Sequence, residues 1–221
     1  MNVPLPHSLI SCVLLAACTL PANNEVDRPQ RDAPPTATEA LILLEEIPRI
    51  DGDWYHYDAP YSRAAFGESW IDVDENRCNQ RDDVLAVQLR DVVLRENGCY
   101  VDSGILEDPY TGATIAFVRG PDTSPNVHVD HVVSLWEAWG AGAEHWTEDQ
   151  RIAFAGDVNN LVATGRESNE EKSNLSVSEW LPADEEHHCD FAITIVDVKH
   201  TWGLEIHDAD YQALRQILTF C

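Results

Sequence analysis

Between residues 127 and 172 the chain passes from a β-type run to helical composition, back to a short β-type run, and then to a helix start. Few small folds accept that order. Residues 127–133 are dense in Val and read as a strand. Residues 135–146 are helical in composition, weakened by Gly140 and Gly142. Thr147 with Gln150 makes a capping box that opens a second helix, and Gly156 supplies its stop. Residues 160–164 form a second short strand. Ser168 with Glu171 makes another capping box, which puts Asn169 at the first position of a further helix. The order strand, insertion, strand, helix predicts an α+β domain with its core over residues 127–180, wrapped by an N-terminal region and a C-terminal helical segment.

The rest of the chain frames this core. Residues 8–18, SLISCVLLAAC, are an apolar run too short to span a bilayer and of the length of a secretory signal. Its end, Leu15-Ala16-Ala17-Cys18, resembles a lipobox and would anchor the chain to a membrane through Cys18; an ordinary cleaved signal is the alternative, because no basic residue precedes Arg28. Residues 19–37 are rich in Pro, Asn and charge and read as a tether, with one globular domain following over residues 38–221. A short helix is expected from residue 38, loops over residues 52–70, a helix running into a strand over residues 81–94, and strands on either side of a turn at residues 108–112. Beyond the leader stand Cys78, Cys99, Cys189 and Cys221, an even number in a chain that reads as exported. Two disulfides are expected; of three connectivities, Cys78–Cys99 with Cys189–Cys221 is the most local.

Thirty-nine acidic against fourteen basic residues give a formal charge of −25. Such a surface argues against any protein that coats nucleic acid electrostatically, since phosphate binding draws on clustered Lys and Arg. Chemistry on a phosphodiester remains open, because a bound cation brings its own positive charge to the reacting phosphate.

Hydrolysis of a phosphodiester needs a base to activate water and a positive centre for the developing charge. His131 suits the base. Asp130 and Asn169 supply the oxygen ligands that a hard ion such as Mg²⁺ accepts while keeping its waters. Asn160 can pin the backbone beside His131, and Lys172, three residues past Asn169, shares its helix face and could meet a phosphate. Neighbours in a strand point to opposite faces, so Asp130 and His131 require an irregularity where they stand. Singly, each residue has a plainer reading: a hydrogen-bonded pair, a turn Asn, a solvated Lys. Their order and spacing set them apart.

Residues 129–133, VDHVV, residues 159–163, NNLVA, and residues 168–173, SNEEKS, resemble the D-H-[IV]-V, N-L and N-x-x-K elements of HNH endonucleases. The likeness is closest to exported bacterial HNH proteins related to the C-terminal domain of GmrSD-type restriction enzymes. It extends over residues 60–221, through Tyr61-Ser62-Arg63, residues 76–81, Trp146 with Arg151, Trp180-Leu181-Pro182 and Cys221. Ser134 departs from it, standing where the pattern has Pro. The resemblance implies a ββα-metal fold with His131 as general base, Asp130 and Asn169 on Mg²⁺ (Mn²⁺ a substitute), Asn160 orienting the base, and DNA as substrate with RNA as a further class. The rival reading is a cell-surface lipoprotein that keeps an inactive HNH scaffold as a binding or structural module.

Other residues invite weaker readings. His128 with His187, His188 and Cys189 could form a transition-metal site, against a solvated loop leading to a disulfide. Arg63, Arg77 and Arg81 could meet phosphate or pair with nearby acids. Trp136, Trp139 and Trp146 read as core.

Overall fold

The computed structural model describes residues 32–50 and 59–221. The expected signal, lipid-bearing Cys18 and most of the tether fall outside them, as does much of the aromatic stretch before residue 59. The chain runs α1 (Ala37–Glu46), β1 (Arg49–Ile50), α2 (Gln80–Gln88), β2 (Arg90–Leu94), β3 (Val101–Glu107), β4 (Thr114–Val118), β5 (Val127–His131), α3 (Leu135–Gly140), α4 (Glu148–Ala155), β6 (Leu161–Gly165), α5 (Arg166–Lys172), α6 (His188–Thr201), β7 (Ile206–His207) and α7 (Asp208–Phe220). It is a mixed α+β fold. The helix into strand at residues 81–94 and the β3–β4 hairpin stand where the residue pattern put them.

The described residues form three small sheets: antiparallel β2-β3-β4, antiparallel β5-β6, and a parallel β1-β7 pair. The last joins residues 49–50 to residues 206–207, a pairing two residues long that no periodicity announces. Helices α1, α6 and α7 share the larger apolar core with Phe66, Val133, Trp139 and Phe154. A second core lies under β5 and β6, where Val127, Val129, Leu161 and Ala163 meet Val84 and Leu85 of α2 and Phe117 of β4. Trp139 and Trp146 take the expected core positions, and Trp136 is half-buried.

Local chemistry explains the boundaries. The Thr147 hydroxyl accepts from Gln150 N, and the Gln150 side chain returns to Thr147 N, so α4 starts on the capping box its sequence announced. The run expected to be helical to residue 146 stops at Gly140, because Gly142 at φ 121° turns the chain into a separate 3-10 turn. Gln88 closes the open side of β6: its Nε2 donates to Leu161 O (2.9 Å) and its Oε1 accepts from Ala163 N (2.7 Å). On the other side, Arg81 donates to Val127 O at 2.7 Å and to Ser124 O, fixing the entry of β5.

Cys78–Cys99 and Cys189–Cys221 are both formed, the most local of the three pairings. The second closes 32 residues and ties the start of α6 to the last residue after α7. Chain entropy for a loop of that length amounts to about 3–4 kcal/mol. Replacing Cys189 and Cys221 by Ala should therefore lower the free energy of urea unfolding by about that much, with loss of protection measured by hydrogen exchange concentrated in α6 and α7.

Candidate active site

The β5–β6 ladder pairs Val127 with Gly165, His128 with Thr164, Val129 with Ala163, Asp130 with Val162 and His131 with Leu161. No bulge interrupts it. The irregularity expected at Asp130-His131 takes the form of strand termination: β5 ends at His131 and the chain bends at Val132 and Val133. Alternation thus sends Val127 and Val129 into the second core, and His128 and Asp130 to the opposite face, against α5.

Asn160 stands directly before β6. It is fully buried, its Oδ1 accepts from Val133 N (2.8 Å), its Nδ2 donates to Val133 O (3.0 Å), and its carbonyl accepts from Val132 N (2.8 Å). These three bonds clamp the bend that directly follows His131. The imidazole is fixed from another direction, through a 2.8 Å bond between Nε2 and Ala155 O at the end of α4. A carbonyl only accepts, so Nε2 carries the proton and Nδ1 the lone pair. Burial pushes the His131 pKa below the ordinary histidine value; the Ala155 bond and Asp130 oppose this, while Arg63 and Lys172 add to it. Burial thus favours the neutral ring.

Asn169 differs from expectation. Strand β6 runs into α5 without a loop, Gly165 in extended conformation is the N-cap, and Asn169 is the fourth helical residue. The Ser168 hydroxyl, expected to cap, instead donates to Gly165 O and lies 3.1 Å from the Thr164 hydroxyl. Free N–H groups at a helix start therefore do not lie at Asn169. Its amide Nδ2 meets His128 Nδ1 at 2.9 Å, and its bonded partner is His128, not Asp130.

Lys172 also departs from expectation. It is 1% exposed, with Nζ 2.9 Å from Asp130 Oδ2 and 2.9 Å from His131 O. A side chain so enclosed cannot reach a bound phosphate. It is a strut joining the end of α5 to the end of β5, forced inward because Asp130 is buried and needs a partner. Tyr110 completes the arrangement by donating from its hydroxyl to the same Oδ2 at 2.8 Å. Nothing in the sequence flagged Tyr110 beyond its place in a turn. That turn is anchored by Asp108, whose carboxylate accepts from Tyr110 N, the Thr111 hydroxyl and the Thr164 hydroxyl, and the ring packs edge-on against Trp180 and Phe191. Both donors fall on Oδ2, and among the described residues none donates to Asp130 Oδ1.

The remaining candidates separate cleanly. His187 pairs with Asp184 (2.9 Å), His188 meets Pro182 O (2.8 Å), and Cys189 is in its disulfide, so none joins His128. Among the described residues, no three His, Cys, Asp or Glu side chains cluster as a metal site. Asp130 and Asn169 carry oxygen atoms of the kind a hard cation takes while keeping several waters. Of the arginines, Arg81 is tied to backbone carbonyls, while exposed Arg63 lies near enough to His131 to lower its pKa. Arg81 and Arg166 act likewise on His128, where burial is the leading influence.

Residues 79–217 match the model of the family described as GmrSD restriction endonucleases, C-terminal domain. The match spans more than half of the chain, and the chain belongs to that family. It is also similar to an uncharacterized secreted protein of Arthroderma benhamiae (strain ATCC MYA-4681 / CBS 112371), at 29% identity over 216 residues and 97% of each chain. No solved structure matches it.

Removing one member of a buried ion pair strands the other. Lys172→Met should lower unfolding free energy by about 3–5 kcal/mol, read by urea denaturation, whereas a surface lysine awaiting phosphate would change it by under about 0.5 kcal/mol.

Proposed function

We propose that this chain is an exported, metal-dependent endonuclease of the ββα-metal type that hydrolyses phosphodiester bonds in DNA, with RNA as a further substrate class. The observation that carries the reading is the 2.8 Å bond of His131 Nε2 to Ala155 O, which leaves Nδ1 to take a proton in a setting where burial lowers the pKa. Membership of a family described by restriction endonucleases supports it, as does the β5, insertion, β6, α5 order that a ββα-metal core requires. Export is supported by the two disulfides and by the secreted relative.

In this mechanism His131 Nδ1 removes a proton from the attacking water. Asn160 holds the bend after His131, and Ala155 O holds its tautomer, so the base keeps one orientation through the reaction. Asp130 and Asn169 would hold a divalent cation, which when bound supplies positive charge for the phosphate and the leaving oxygen. Lys172 and Tyr110 keep the Asp130 carboxylate in place. Arg63, exposed beside His131, and Arg166, exposed near His128, give an otherwise acidic surface a local cationic margin against which a phosphodiester backbone can lie.

Cleavage of plasmid DNA and of single-stranded RNA tests the proposal, using disulfide-intact residues 38–221 with Mg²⁺, with Mn²⁺ and with EDTA. Cleavage should disappear on chelation and fall by at least about a hundredfold in His131→Ala, the range expected for loss of a general base. Arg63→Ala should raise KM with kcat little changed. A folded protein that cleaves neither substrate with either ion would leave an inactive scaffold that binds or supports other partners.

A further inference from the structure

The carbonyl that holds His131 belongs to the last residue of α4, so the base is only as well aimed as the end of that helix. Gly156 follows it and is pinned on both of its peptide units. Its N–H donates to Ile152 O and Ala153 O of α4, at 3.1 and 3.2 Å, and its carbonyl accepts from Gln80 Nε2 at 2.7 Å. Gln80 reaches it from 76 residues earlier in the chain and is 5% exposed. Enclosing a carboxamide is costly unless it is hydrogen-bonded, and Gly156 O supplies the acceptor.

The glycine itself is informative. Its φ is −100°, a value open to any residue, so the backbone at this point does not demand glycine. Space does. A Cβ at residue 156 would stand 2.7 and 2.8 Å from the Gln80 amide nitrogen and oxygen and 2.9 Å from Val73 Cγ1. The missing side chain is what admits the amide. The donor is also firmly mounted: Gln80 is the first residue of α2, its neighbour Asn79 caps the helix by accepting from Asp82 N, and Cys78 is tied to Cys99.

We infer that Gln80 is a positioning residue for the reaction proposed above: by clamping Gly156 it fixes the Ala155 carbonyl, and through that carbonyl the tautomer and aim of His131. The inference rests on that proposed function. Ala155 O and the Gly156 N–H belong to one planar peptide unit, so any rotation at Gly156 carries the carbonyl with it. The last carbonyls of a helix have no partners of their own within it, and this end depends on what is brought to it. Once Ala155 O turns away, Nε2 loses the acceptor that selects its proton. Either ring nitrogen can then carry it, and only the Nε2–H form presents a lone pair at Nδ1.

The test is Gln80→Met, which keeps the length of the side chain and removes the donor. Two readouts are taken on the disulfide-intact protein: plasmid cleavage, and nitrogen–proton NMR correlation of the histidine rings without substrate, His131 being assigned by its loss in His131→Ala. The wild type should show His131 as a single neutral tautomer protonated at Nε2, and the variant a mixture of the two. Its kcat should fall by about tenfold or more while KM moves less than about twofold, as for a base displaced by a fraction of an ångström. Gly156→Ala, which drives the amide away, should reproduce both changes, and the double variant should be no worse than either alone. It also carries the comparison if Gln80→Met does not fold. Gln88→Met removes another amide from the same helix and should leave the His131 signals as in the wild type. A folded Gln80→Met with wild-type His131 signals and wild-type kcat would overturn the role of Gln80 and leave the nuclease proposal standing. Mixed tautomers in the variant, with no cleavage of either nucleic acid by the wild type, would uphold the hold on His131 and overturn the nuclease proposal instead.

Discussion

A carboxylate enclosed at the end of a strand must be neutralised, and the way Asp130 meets that demand organises the surrounding structure. Its partner, Lys172, comes from the last turn of α5 and bonds Asp130 and the His131 carbonyl together. Desolvating two charges is costly, so such a pair persists only where further hydrogen bonds complete it. Tyr110 provides one, and with it draws the β3–β4 turn onto the site. A hairpin, a helix and a distant turn are thus held in one geometry by a single buried charge. Any shift of α5 along β5 would break bonds at both ends of the lysine.

The same constraint makes the site asymmetric. Asp130 Oδ2 takes both donors, and Oδ1 takes none among the described residues. His131 shows the same division, with Nε2 committed to Ala155 O and Nδ1 available. In each case the fold uses one polar atom to fix the orientation of the other, so that under the proposed mechanism neither group need reorganise when a substrate arrives. Asn160, fully buried, extends this to the backbone.

Much of this was legible in residue order. The capping box at Thr147 and the two strands follow from local chemistry, which depends on neighbours a few residues away. What the sequence could not show is set by distant contacts. Lys172 looks like a solvated helix charge until Asp130, on another element, is seen to lie beneath it. Ser168 and Glu171 spell a capping box, but β6 feeds straight into α5 and the helix begins at Arg166 instead. Tyr110 carries no local signal, because its partner is 20 residues away. His128, grouped by composition with His187 and His188, finds its contact on α5.

Gln88 bears on a different matter. Strands β5 and β6 form a sheet of two, and the outer margin of such a pair ordinarily offers unpaired N–H and C=O groups to any extended peptide. The Gln88 amide occupies Leu161 O and Ala163 N at once, imitating a third strand with one side chain. Another molecule therefore cannot add to this edge of β6 by strand pairing without first displacing that amide.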